Sequence, residues 1–122
     1  MKLQDWVNRK RVLILINIGA SHNFVSIDLD VELGLKVDAT PPYNVCLGDG
    51  HKKITSGCCR TIMVQLEEHV VEKMFYLFEV GGVGLILGVT WLASLRDVKV
   101  NWNTLTMSFN VNGQLVQIKG DW

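Results

Sequence analysis

No run of apolar residues in this sequence approaches the roughly 18 that a membrane-crossing helix needs, so nothing in it reads as a bilayer span. Neither sign of charge predominates. Twelve Lys and Arg residues balance 12 Asp and Glu, which leaves no net field to draw the chain to nucleic acid or to an anionic membrane. The opening residues, MKLQDWVNRK, carry charges throughout and lack the apolar block of a signal peptide. Cysteine is scarce: there are three, and Cys58 and Cys59 are adjacent, a poor basis for a disulfide framework. The expected setting is therefore reducing and intracellular. Internal repeats, low-complexity tracts and linkers are missing too.

What is present suits one compact domain over residues 1–122, with 48% hydrophobic and 20% charged residues. Short apolar segments punctuated by Gly, Asn and Asp predict mainly β structure. LQDWV and RVLILI flank Asn8-Arg9-Lys10 as an opening hairpin, and LTMSFNV and QLVQIK flank Asn112-Gly113, the strongest two-residue hairpin signal in the chain. Strand is expected over 11–16, 43–47, 51–57, 60–66 and 71–80, with a turn at Glu67-Glu68-His69. Gly48-Asp49-Gly50 permits positive φ at a tight hairpin tip. Two stretches predict short helices. In SIDLDVELGL, Ser26 is a cap, Leu29 and Leu33 share a face, and Gly34 stands where a left-handed C-terminal cap belongs. The second follows Gly88, over about 89–95, with Trp91, Leu92 and Leu95 turned to the core.

Several chemistry-bearing patterns fall away. GGVGLILG (81–88) lacks the third glycine of a dinucleotide fingerprint, because Leu87 stands there, and no long helix follows; a glycine-edged buried strand is the reading. Cys46, His51, Cys58 and Cys59 do not match zinc-site spacing, so no metal and no cofactor is expected, and the thiols read as buried and reduced. Asp28, Asp30 and Glu32 open a helix, where they favour its dipole. His22 has no Ser or Cys nucleophile in a recognisable context.

The stretch LILI followed by Asn17-Ile18-Gly19-Ala20-Ser21-His22-Asn23-Phe24-Val25-Ser26 remains. It resembles the retropepsin-like aspartic proteases of gypsy-type LTR retrotransposons, particularly plant gag-pol polyproteins. Their pattern is an apolar strand, then Asp-Ser/Thr/Cys-Gly-Ala-Ser/Thr-His-x-Phe-Ile/Val-Ser. The likeness continues through LGLKVDATPPYNVCLGDG, LILGVTWLASL and VKVNWNTLTMSF, covering roughly 7 to 110. The resemblance implies an all-β fold, a closed β-barrel with one or two short helices, whose protomers form a two-fold homodimer. It implies a polypeptide substrate or ligand in the groove, a flap tip at Gly48, Asp49 and Gly50, and a supporting layer of Ala20, Ile86, Leu87 and Gly88. A cytoplasmic location, including within virus-like particles, goes with it.

The family's chemistry uses one aspartate from each protomer. Two close carboxylates cannot both ionise and so share a proton; one acts as general base on water while the other polarises the substrate carbonyl. The catalytic position here is Asn17, followed by Ile18 and Gly19. An amide has no proton to exchange near neutral pH, so the sequence predicts an inactive enzyme, a pseudoenzyme. The alternative from another class is a non-catalytic dimerisation or peptide-binding module on the same barrel. Ile18 replaces the usual small hydroxyl residue, which hydrogen-bonds across the dimer. Gly84 is a third departure, since relatives usually carry Asp there.

Overall fold

The computed structural model describes residues 1–7, 9–46, 52–66, 69–78, 83–111 and 113–120. Among the described residues, ten strands and two helices run in the order β1 (Lys2–Val7), β2 (Lys10–Ile16), β3 (Phe24–Ser26), α1 (Ile27–Leu33), β4 (Asp38–Cys46), β5 (Lys52–Leu66), β6 (His69–Phe78), β7 (Leu85–Leu87), α2 (Val89–Ser94), β8 (Val98–Asn101), β9 (Thr106–Val111) and β10 (Gln114–Lys119). Seven strands lie in the order β1-β2-β7-β3-β6-β5-β4. A further pairing of β1 with β5, through Trp6–Gln65 and Val7–Val64, closes six of them into a barrel and leaves β4 outside on the edge of β5. The last three strands form a separate sheet, β10-β9-β8.

Alternation drives the outer strands. In β1, Leu3, Asp5 and Val7 turn inward while Lys2, Gln4 and Trp6 stay exposed, the two-residue period of a sheet with one wet face. The short strands β3 and β7 are buried at every residue, and they sit at the centre of the barrel. There β7 runs parallel to β2, β3 runs parallel to β6, and β3 and β7 meet antiparallel. Such strands need an unbroken apolar run, which Leu85-Ile86-Leu87 supplies. The main core joins the barrel to the small sheet through residues such as Ile14, Val64, Phe75, Trp91, Phe109 and Ile118. Trp91 of α2 meets Phe109 of β9 edge-on, with centroids 5.7 Å apart.

Local signals hold where they were strongest. Ser26 caps α1, its hydroxyl accepting the Leu29 N–H at 3.1 Å, and Gly34 takes φ 62° at the other end. Val111 pairs with Gln114 around Gly113 at φ 81°. Elsewhere the structure is longer or simpler than the sequence pattern. The expected strands 51–57 and 60–66 are one strand, β5, with a bulge between Cys59 and Ile62 that absorbs the break in alternation. β4 begins at Asp38 and runs through Pro41 and Pro42, where its register to β5 shifts between Ala39 and Tyr43. An edge strand tolerates prolines because no neighbour needs their missing N–H. His69 opens β6 rather than closing a turn.

Candidate active site

The loop after β2 is shaped by its own side chains. Asn17 donates its backbone N–H to the Leu87 carbonyl at 3.0 Å, extending the β2–β7 ladder by one step. Its side-chain Oδ1 then turns back and accepts the Gly19 N–H at 2.8 Å, while its carbonyl accepts the Ala20 N–H at 3.2 Å. This is the amide-capped turn that Asn favours. A carboxylate has the same acceptor oxygen, so the turn itself does not distinguish Asn from Asp; only the second side-chain atom, a donor NH2 in place of an oxygen, differs.

Ile18 projects from the turn at 79% exposure. Beside it Gly19 is also exposed, and Ala20 is fully buried. Ala20 packs with Phe24, Val45, Phe78 and Ile86 in a small apolar cluster separate from the main core, with the Phe24 and Phe78 rings 5.2 Å apart. This leaves Ile18 the most exposed of the large apolar side chains among the described residues.

Gly88 is where the loop meets the second helix. A Cβ there would lie 2.2 Å from the His22 carbonyl oxygen and 2.7 Å from that of Ala20. No side chain fits without moving backbone. The close approach lets the Val89 N–H donate to the Ala20 carbonyl at 2.9 Å. Ala20, Ile86, Leu87 and Gly88, the residues expected to support the loop, thus lie close to one another and to Asn17. The flap residues Gly48, Asp49 and Gly50 lie outside the described residues.

The structure adds a residue the sequence reading passed over. Asn23 is 5% exposed, and its Oδ1 accepts the Gly88 N–H at 3.0 Å while its Nδ2 donates to the Met74 carbonyl at 3.4 Å. Its backbone carbonyl accepts the Tyr76 N–H at 2.9 Å. One buried side chain therefore ties the loop, α2 and β6 together. Next to it, Ser21 Oγ and His22 Nδ1 are 2.7 Å apart and the His22 ring meets Tyr76 edge-on. Burial pushes the His22 pKa below its ordinary value, because desolvation disfavours the charged ring.

Gly84 stands where a side chain has no room. A Cβ there would sit 2.2 Å from Val12 Cγ1, so the space a side chain would use is filled by β2. Its backbone donates to the Leu13 carbonyl at 3.0 Å and accepts from Ser26 at 2.9 Å, which stitches β2 to β3. The cysteines carry no such geometry. Cys58 and Cys59 are buried, and burial, reinforced by the Asp30 carboxylate, pushes the Cys59 thiol up to about 11. A thiol held protonated is a poor nucleophile or metal ligand. Among the described residues no group of His, Cys, Asp and Glu could hold a metal ion, and no helix is long and apolar enough to cross a membrane.

A closed six-strand barrel, two parallel-paired inner strands and a glycine-containing loop backed by an apolar-apolar-glycine strand define the retropepsin-like protease fold. Residues 13–115 match the PEG10/RTL1 protease domain, and the chain belongs to that family. The retroviral protease-like domain of Ddi1 from Leishmania major is similar in fold, with a TM-score of 0.73 over 98% of this chain and 91% of that one, at 16% identity. No curated protein matches the sequence.

Proposed function

We propose that residues 1–122 form one retropepsin-like aspartic endopeptidase domain, derived from a retrotransposon polyprotein, that pairs with a second copy and holds a polypeptide without hydrolysing it. Asn17, Ile18 and Gly19 occupy the catalytic loop in this reading, Gly48, Asp49 and Gly50 the flap, and Ala20, Ile86, Leu87 and Gly88 the support beneath. The order of motifs along the chain supports the retrotransposon origin, and the family's two-fold mechanism supports the homodimer.

The observation that carries the reading is the Asn17 side chain. Its Oδ1 already accepts the Gly19 N–H, so the turn is formed and the remaining atom is a nitrogen with its protons fixed. A homodimer repeats the change on both sides of the axis, and no carboxylate is left to take a proton from water. Loss of general acid–base assistance removes about 10²–10⁴-fold in rate, and loss of a cooperating pair removes more. Asp28 and Asp49 do not substitute in this reading: Asp28 belongs to α1, and Asp49 to the flap.

Peptide-library hydrolysis by the unmodified chain and by Asn17→Asp tests it. We expect no cleavage by the former and statine-sensitive cleavage by the latter. Cleavage by the unmodified chain with no gain from Asn17→Asp would show that Asn17 is not the missing group.

A further inference from the structure

The balanced total charge conceals an uneven surface. On the outer face of β1 the exposed residues are Lys2, Gln4 and Trp6. Their register partners on β2 are Leu15, Leu13 and Arg11, and paired residues share a face of the sheet. Beyond Trp6 the row continues through Gln65 of β5 to Val70 of β6. At the other end, the chain after β10 presses against β1: a Cβ on Gly120 would lie 2.4 Å from the Lys2 carbonyl oxygen. That approach brings Lys119 beside Lys2.

Two hollows open on this face. One, of about 650 Å³, is lined by Lys2, Gln4, Arg11 and Lys119 with Leu3 and Leu13. The other, of about 500 Å³, is lined by Trp6, Arg9, Met63, Gln65 and Val70. Arg11 joins them, since it lines the first and is paired with Trp6 at the edge of the second. Four cations line the two hollows, and no carboxylate does among the described residues. The cations of the described ion pairs are Lys10 and Arg60, held by Glu32 and Asp38; Lys2, Arg9, Arg11 and Lys119 enter none of these. Asp5 is turned inward at 8% exposure. Among the described residues, the exposed carboxylate of this row is Glu72, opposite Met63 on the adjoining strands. Trp6 is 47% exposed, with Met63 at 55% and Val70 at 50% beside it.

From this arrangement we infer that the outer face of β1 and β2 binds single-stranded nucleic acid, with a base stacked on Trp6 and phosphates held by Lys2, Arg9, Arg11 and Lys119. Charge complementarity calls for a polyanion. The exposed indole at the rim of a hollow walled by Met63 and Val70 calls for one with flat apolar faces between its charges, and only a single strand offers both together. A duplex hides its base faces in the stack, and a lipid surface offers none. The face spans about 13 Å from Lys2 to Trp6 at the rise of a strand, so it suits a short strand segment. This inference does not depend on the fate of the Asn17 loop.

Fluorescence anisotropy with a short labelled oligoadenylate RNA tests it on the full chain. Affinity is expected to fall with salt with a log–log slope of about −3 when four phosphates are engaged. Trp6→Ala is expected to weaken binding about 5- to 150-fold, and Trp6→Phe to retain most of it. Arg11→Gln, at an exposed position that the fold does not need, should weaken binding and reduce the slope by about 0.7. Three results overturn the inference: unchanged affinity in both Trp6→Ala and Arg11→Gln, equal competition by a duplex of the same length, or binding to phosphatidylserine vesicles but not to the oligonucleotide.

Discussion

The Asn23 side-chain oxygen accepts the backbone N–H of Gly88 at 3.0 Å across 65 residues of sequence. Together with the Val89 N–H donated to the Ala20 carbonyl at 2.9 Å, this bond holds the loop after β2 against the start of α2, where Gly88 has no side chain to pack. Both groups are buried, and a buried donor stripped of its acceptor keeps the full cost of its desolvation.

Removing that acceptor is expected to be costly. Asn23→Ala should destabilise the fold by about 1–3 kcal/mol for each group left unpaired, read as a lowered urea midpoint with an unchanged m-value. Asn23→Asp keeps the acceptor for Gly88 but loses the donor to Met74, and is expected to fall between the two. Gly88→Ala should cost about 3 kcal/mol or more, since its Cβ meets two carbonyl oxygens rather than a side chain that can turn away. Equal midpoints for Asn23→Ala and the unmodified chain would count against the bond's role.

Asn23 also shows the limit of what the sequence displays. The cap at Ser26, the left-handed Gly34 and the positive φ of Gly113 are written in neighbouring residues, and each is readable because its cause lies within a few positions. The closed barrel and the loop after β2 are readable through the order of four motifs. Asn23 is not, because its partners Gly88, at the start of α2, and Met74 of β6 lie far along the chain and no local period points to it. Gly84 is unreadable for the same reason: the Val12 side chain that fills its space is 72 positions away. The charged face of β1 and β2 was hidden differently. A net charge of zero averages over the surface, and only the strand register shows that Lys2, Trp6 and Arg11 share a side.

His22 makes the loop sensitive to acid. Its folded pKa lies below the ordinary value because burial disfavours the charged ring, so the unfolded chain binds the proton more readily than the folded one. The stability this contributes is complete above the unfolded pKa of about 6.5 and is lost as pH falls toward the folded value. Thermal unfolding between about pH 7 and pH 5 should show a falling Tm that flattens in His22→Gln. An NMR titration placing the His22 midpoint at or above 6.5 would contradict this.

Ile18 is expected to weaken self-association. At 79% exposure in one copy, it would meet its symmetry mate in an isologous contact, where it brings bulk and no hydrogen-bond donor. Ile18→Ser should tighten the dimer about tenfold, which is about 1.4 kcal/mol and within the range of one recovered hydrogen bond. Sedimentation equilibrium giving equal or tighter association for the Ile18 form would argue against a dimer packed through this loop.

The two loop substitutions should act together. Asn17→Asp alone is expected to restore an acid–base pair in the proposed dimer, because the carboxylate can keep the Gly19 contact with one oxygen and present the other across the axis. In the proposed dimer Ile18 would still crowd that axis and hold the two carboxylates apart, and a misplacement of about 1 Å can cost about 10²-fold. Asn17→Asp with Ile18→Ser removes both obstacles and is expected to exceed the single variant by one to two orders of magnitude in kcat/KM, on the order of that alignment penalty. Its pH profile should be bell-shaped, with limbs that belong to the pair rather than to either residue. The acid limb carries a second signature. As pH falls below the ordinary histidine pKa of about 6.5, the His22 effect should lower the stability of the same loop, so activity there should fall faster than the dyad alone requires, and His22→Gln in the double variant should widen the acid limb. A profile unmoved by His22→Gln would separate the histidine from the catalytic loop, whereas a double variant no better than Asn17→Asp would place the defect somewhere other than the dimer axis.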